Sequence, residues 1–333
     1  YRRQRQMCIR DSHEIMLSGE DARDLVARMP EMYDEPFADP SQLPTTLLTG
    51  FARKGVTVCL SGDAGDELFA GYGRYHAIHK RWSNGLRGYA LRAASAAYAQ
   101  LLLGLIAPAQ AFGVERMFGR GLWPLSLRLK GLKTRSQAAN ALEAYERSFT
   151  VVDQAHLFVR DGQPFADPLI ARIAAHEDWS TLEQATMLDC YRYLPDDILV
   201  KVDRAAMSHS LETRVPLLDP DIAAFAWSLN DTQRLMNGER KGILKAVLNR
   251  YVPRELWDRP KRGFGIPAAS WLRGPFRSMA EDLFSPARLR RQGLLEEPAV
   301  THIWQDFVAG GQRRTNLVWT LFILQLYLAR EEA

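Results

Sequence analysis

The stretch that most constrains how this chain can fold runs Val56-Thr57-Val58-Cys59-Leu60-Ser61-Gly62-Asp63-Ala64-Gly65-Asp66-Glu67-Leu68-Phe69-Ala70-Gly71-Tyr72. A short β-branched, apolar run that stops at Ser-Gly-Asp and passes at once into helical spacing reads as a buried strand, a tight turn and a helix start. Gly62 and Gly65 let backbone amides approach a ligand, and N–H groups at a helix N-terminus favour phosphate oxygens. Asp63, Asp66 and Glu67 crowd the same turn and would repel a bare phosphate. Phosphate here therefore requires a divalent cation held by one or two carboxylates, so the turn points to Mg-nucleotide. From these residues alone, a plain acidic turn with Asp66 and Glu67 suited to the helix dipole also explains the string.

Extended to Arg74-Tyr75, the string resembles the signature of the synthetase domain of glutamine-hydrolysing asparagine synthetases. A second block, Asp189 to Asp219, carries the resemblance further. Pro195 followed by Asp196 and Asp197 reads as a helix N-terminus, with Ile198, Val202 and Ala206 on one face. Lys201, Asp203, Arg204, His209, Glu212 and Arg214 interleave with apolar residues, so burying the latter draws charges inward, where each must be paired or bind something. An ion-pair network and a substrate pocket both satisfy that requirement. Leu-Pro-Asp-Asp-Ile-Leu-Val-Lys-Val-Asp-Arg, then Leu-Glu-x-Arg-Val-Pro-x-Leu-Asp, is similar to the same family, and the resemblance puts Asp197, Glu212 and Arg214 near the amino-acid substrate. His209 has no metal partner at helical spacing and reads as structural. The third block is Lys241-Gly242-Ile243-Leu244-Lys245 and, beyond it, Pro253 to Arg273, in which Arg259-Pro260-Lys261-Arg262-Gly263-Phe264-Gly265 is a cationic loop framed by Pro and Gly, an anion clamp or a basic surface turn. The resemblance places Lys261 against the nucleotide phosphates.

These blocks follow the family's order and cover the chain from His13 to about Leu328. The resemblance implies an α/β fold, an incomplete parallel-sheet, adenine-nucleotide hydrolase-like part (13–80) with a large helical extension (81–333). It implies ATP and Mg2+ as cofactors and the conversion of aspartate to asparagine through a β-aspartyl-adenylate attacked by glutamine-derived ammonia. Asp66 would bind metal, Ser61, Gly62, Gly65 and Glu67 the cofactor, with Asp63 an active-site acid and Lys261 acting on the pyrophosphate. Two family features are absent from the sequence: a Ser-Gly-Gly-x-Asp-Ser-Ser pyrophosphate loop, and an N-terminal cysteine heading a glutaminase domain. Cys8 has neither position nor context for that role. Ala64 stands where Gly is frequent, which reads as a minor departure. The chain is thus expected to be a C-terminal fragment, lacking the N-terminal glutaminase domain of the same chain, poorly soluble and unable to form an acyl-adenylate alone.

At 333 residues and 47% hydrophobic the chain can bury a sizeable core. A net charge of +4, with no dense basic block, gives no support for nucleic-acid binding, and no apolar run reaches the roughly 20 residues of a membrane helix. Three scattered cysteines fit reduced, buried thiols in a cytoplasm. Residues 1–12, rich in Arg, read as a non-native or disordered leader. Leu17 to Asp21 reads as a strand end and helix cap, Asp21–Met29 as a helix, Met32–Pro44 as a proline-rich loop, and Thr45–Lys54 as a helix with Leu47, Leu48 and Phe51 on one apolar face. Together these predict a β-α-loop-α-β crossover. Beyond Arg74 strand signals nearly vanish; Leu101–Ala107, interrupted by Gly104 and Pro108, and Leu317–Leu328 read as buried helices. The rival readings are a synthetase acting on another carboxylate and a non-catalytic basic module. Oligomeric state stays open, a homodimer being one option.

Overall fold

A computed structural model describes residues 13–82, 85–111, 138, 140–148, 158–163, 167–258, 264–310 and 315–332. It is α/β, mostly helical, with a small parallel sheet. The first helix, α1 (Gly19–Met32), is opened by a capping box in which Ser18 and Asp21 exchange hydrogen bonds. No strand precedes it among the described residues, so the expected strand end at Leu17 is corrected to a helix cap alone. A loop then leads to α2 (Gln42–Arg53), which starts three residues earlier than the spacing predicts because Pro44 is tolerated in a first turn.

The most deeply buried face of α2 is not the one that carries Leu47, Leu48 and Phe51. Thr45, Thr46 and Thr49 face inward while Leu48 is exposed. The cause is α6 (Val200–Met207, with α5 being Thr181–Tyr191 before it), which packs on α2 and offers its Ala205 carbonyl to the Thr49 hydroxyl at 2.9 Å. The helices approach so closely that a Cβ on Gly50 would stand 2.8 Å from His209 Nε2.

Strand β1 (Val58–Leu60) is followed by the single turn α3 (Gly65–Leu68) and by α4 (Gly73–Trp82). Its partner is β2 (Glu212–Arg214), parallel, with Cys59 opposite Thr213 and Leu60 opposite Arg214. The expected β-α-loop-α-β crossover lacks its first strand among the described residues, and β1 pairs instead with β2, in parallel, a segment that carries no strand signal of its own. Nor is β1 buried: Leu60 is 73% exposed, because no further strand or helix covers that face among the described residues.

The helix Gly85–Ala111 runs unbroken through Gly104 and Pro108, and Leu101 on it is exposed rather than buried. The C-terminal helix α7 (Thr315–Glu331) is the buried helix its sequence predicts, with Trp319, Phe322 and Ile323 in a core shared with α1 and the helices from Ala268 onward. A second core joins α4 to α5, and a third underlies α3, built from Leu68, Phe69, Leu194, Ala226 and Leu229. Among the described residues no helix is long and apolar enough to cross a membrane. Residues 1–12, Trp123-Pro124, and Lys261 with Arg262 lie outside the described residues.

Candidate active site

The carboxyl end of β1 carries the acidic turn, and the Ser61 amide extends the ladder by donating to the Arg214 carbonyl at 2.9 Å. Open parallel sheets bind ligands at this end, outside the carboxyl termini of their strands. The Ser61 hydroxyl donates to Asp63 at 2.8 Å, Gly62 is open to solvent, and Asp66 pairs with Lys241 Nζ at 3.0 Å. Gly65 is a packing glycine, since a Cβ there would meet Leu217 at 2.9 Å, and a Cβ at Gly71 would fall 2.0 Å from Asp66 Oδ1 and so displace the Asp66 carboxylate. Ala64 has φ 65° and is fully buried. A left-handed conformation costs a residue with a Cβ about 1 kcal/mol, so replacing Gly here is not the minor change the sequence suggests.

Glu67 turns away from this surface. It is 2% exposed and accepts the Tyr72 hydroxyl at 2.5 Å, and burial, against that hydrogen bond, pushes its carboxyl above the ordinary range. It supports the turn from below, which counts against direct contact with a cofactor. Beneath lies a buried aromatic and ionic cluster. Asp189, fully buried on α5, accepts at Oδ2 from Arg74 Nη2 at 2.6 Å and from the hydroxyls of Tyr75 and Tyr145 at 2.5 and 2.6 Å. The Arg74 guanidinium lies 4.0 Å from the Tyr72 ring centroid and 4.8 Å from that of Tyr193. Burial pushes the neighbouring Cys190 thiol up to about 12, so it is unsuited to act as a nucleophile near pH 7.

A second cluster joins the proline-rich loop to α6. Lys201 Nζ, largely buried, donates to Asp39 at 2.5 Å and to Asp197 at 3.3 Å. Asp39 is also held by the Ser41 amide at 2.9 Å and hydroxyl at 2.6 Å. Burial works to raise Asp39, but the Lys201 ammonium and these hydrogen bonds outweigh it and leave its carboxyl low. Burial and then the Asp39 charge push Asp197 up to about 7, against the pull of Lys201. Pro195 stands at the start of a helical segment with Asp196 and Asp197 in its first turn, as expected, but Leu194–Leu199 is a π-helical turn running into α6, an irregularity that is frequent at functional sites.

The asparagine synthase family profile matches residues 5–329 of this chain. The chain belongs to the asparagine synthase family. It is 29% identical over 318 residues to the putative asparagine synthetase [glutamine-hydrolyzing] of Mycobacterium tuberculosis (strain ATCC 25618 / H37Rv), covering 92% of this chain and 45% of that protein. It is 24% identical over 320 residues to asparagine synthetase [glutamine-hydrolyzing] 1 of Bacillus subtilis (strain 168), covering 94% and 46%. A 60-residue segment is 47% identical to putative asparagine synthetase [glutamine-hydrolyzing] 2 of Methanocaldococcus jannaschii, covering 18% and 12%. The chain thus spans less than half the length of the longer-matching relatives.

Within this member of the family, Ser61, Gly62, Asp63 and Asp66 lie together on the partly exposed turn, and Arg214 is joined to them through the strand ladder. Glu212 and Arg214 pair with each other at 2.8 Å, both largely exposed. Asp197 belongs instead to the Asp39–Lys201 cluster. His209 is structural as expected, its Nδ1 lying 3.1 Å from the Ala205 carbonyl. Sequence reasoning did not single out Asp39, Lys241, Asp189 or Arg74. For Asp39 there is a signal, an acid two residues before a Ser in a proline-framed loop; for Lys241, only its place in the third block.

Proposed function

We propose that this chain is the synthetase part of an asparagine synthetase. In the full-length protein, the side-chain carboxylate of aspartate attacks the α-phosphorus of ATP, pyrophosphate leaves, and ammonia released from glutamine then attacks the acyl carbon and displaces AMP. The observation that supports this reading most is the placement of the Ser61–Asp66 turn at the carboxyl end of a parallel strand pair, beside Arg214, with an ammonium already seated on Asp66. An adenine-nucleotide hydrolase-like sheet binds its ligand at that end.

The donor set fits Mg2+ in the manner of nucleotide sites, where one or two carboxylates suffice and phosphate oxygens and water complete the shell. Among the described residues no cluster of three or more ligating side chains exists, and Asp66 is the carboxylate that would hold the ion, Lys241 standing in for its charge. When bound, the ion neutralises the phosphate chain. The chain's own residues do the rest: the Ser61 and Gly62 backbone lies at the turn for nucleotide, and Asp63 is an acid held in place by Ser61. Lys261 is the cation on which charge growing on the departing pyrophosphate would fall. Asp197, in the Asp39–Lys201 cluster, and Glu212 and Arg214, on β2, are the residues that would meet the amino-acid substrate.

Pyrophosphate release by the full-length protein, supplied with ATP, saturating ammonia and a panel of carboxylic acids, tests the proposal. Aspartate should be the preferred acid. A different preferred acid would make the protein another amide-forming synthetase of the family, and no acid-dependent release would overturn catalysis.

A further inference from the structure

Helix α7 lies across the end of α1 and the proline-rich loop that follows it and reaches their backbone repeatedly. Trp319 Nε1–H donates to the Ala38 carbonyl at 2.8 Å, the Tyr327 hydroxyl donates to the Asp34 carbonyl at 2.8 Å, and Arg330 Nη1 donates to the Pro30 carbonyl. From the other side Gln42 Nε2 donates to the Phe37 carbonyl at 2.6 Å. Trp319 is 2% exposed and packs on Phe276 and Phe322, so its ring is a fixed anchor and cannot follow the loop. The residue after Ala38 is Asp39, which meets Lys201 and Asp197.

We propose that α7 is a positioning strap for the acid cluster, in which the hydrogen bond from Trp319 to Ala38 fixes Asp39 against Lys201 and Asp197. Trp319 is thus a positioning residue, acting through a backbone carbonyl and the carboxylate next to it. The groups that face Asp197 are Asp39 from the loop, Lys201 from α6, Tyr193 ahead of the π-helical turn and Tyr33 at the start of the loop. Burial pushes both tyrosines above their ordinary range, so they stay uncharged near neutrality. Among these four groups, Asp39 and Lys201 are then the charged ones at Asp197. Slackening the loop withdraws a like charge and leaves the ammonium, which favours the ionised carboxylate.

The consequence for turnover rests on the reading that Asp197 works at the substrate site; the strap itself does not. The test is a difference-infrared pH titration of the carboxyl band that Asp197→Asn removes, in the full-length protein. Trp319→Phe keeps an aromatic ring and loses the donor. Its Asp197 midpoint should fall by about one unit or more from the wild-type position, as it should in Asp39→Asn. Trp304→Phe, a buried change in the same core packed on Phe284 and Phe307, should leave the midpoint in place. A wild-type midpoint in folded Trp319→Phe overturns the strap; if that variant does not fold, an unshifted midpoint in Tyr327→Phe overturns it. Aspartate-dependent pyrophosphate release is followed against pH in the same variants. A shifted midpoint with an unchanged activity profile would uphold the strap and remove Asp197 from the substrate site.

Discussion

Lys241 Nζ lies 3.0 Å from Asp66 Oδ2, and Lys241 is itself left-handed at φ 54°, a conformation that lysine adopts only when its surroundings hold it there. The pair is partly exposed, so it contributes at most about 1 kcal/mol to folding. Asp66→Asn in the full-length protein should therefore lower the melting temperature by no more than a few degrees while abolishing aspartate-dependent pyrophosphate release. Release retained at the wild-type rate would make Asp66 a purely structural partner of Lys241.

Lys261 and Arg262 give a paired kinetic test of the cationic loop. An ammonium that neutralises a departing pyrophosphate stabilises the transition state more than bound ATP, so Lys261→Ala should depress kcat far more than it raises the KM for ATP. Arg262→Ala should change both by less than about threefold, since the resemblance gives Arg262 no role at the phosphates. Steady-state kinetics with saturating ammonia separates the two, and equal behaviour of the variants would remove the catalytic role from Lys261.

Asp189 should be costly to alter for a different reason. Its Oδ2 gathers Arg74, Tyr75 and Tyr145 at full burial, so Asp189→Asn leaves the Arg74 charge poorly paired beneath the turn. The expected loss is about 3–5 kcal/mol, against about 1–3 kcal/mol for Tyr145→Phe, which removes one hydroxyl. Urea denaturation of both variants measures the difference; equal losses would mean that the hydroxyl network outweighs the ion pair.

The raised Asp197 carboxyl sets a sign for the pH dependence of stability. Between the ordinary carboxylate range and about pH 7 the folded chain holds a proton at Asp197 that the unfolded chain has released. Its contribution is thus complete at acid pH and is lost as pH rises through 7. Asp39, held low, contributes in the opposite sense and only at more acid pH, and Lys201, raised, only in the alkaline range. Wild type minus Asp197→Asn, compared by thermal melts from pH 5 to 8, should show a stability difference that declines with pH across this window. A difference that is flat or rises with pH would mean that Asp197 is already ionised at pH 5.

The turn at Ser61–Asp66 and the helical character beyond Arg74 can be read from spacing, because glycine placement and apolar period follow local backbone geometry. Burial cannot be read the same way. Leu60 has the composition of a core strand residue and stands in solvent, since its exposure depends on which strands lie beside it. Thr45, Thr46 and Thr49 look like a polar face and are inside, since the Ala205 carbonyl supplies the acceptor that makes a hydroxyl acceptable there. Asp39 is indistinguishable in sequence from Asp34, yet Asp34 meets Arg204 at the surface whereas Asp39 meets a buried lysine. The acid cluster depends on residues 162 positions apart, and no local pattern encodes such a meeting.

The pairing of β1 with β2 also dictates when the site can come into being. Val58 finds its partner Glu212 about 150 residues later, so during synthesis the acidic turn waits many seconds for the strand that positions it, at the usual 5–20 residues per second. Closing so long a loop is slow, and the helices that fill the interval, whose contacts are local, can order first. Val58 and Leu60 present an unpaired apolar ribbon throughout that delay. The acidic turn is therefore among the last parts of this chain to mature, and a nascent chain stalled before Glu212 would display this aggregation-prone edge.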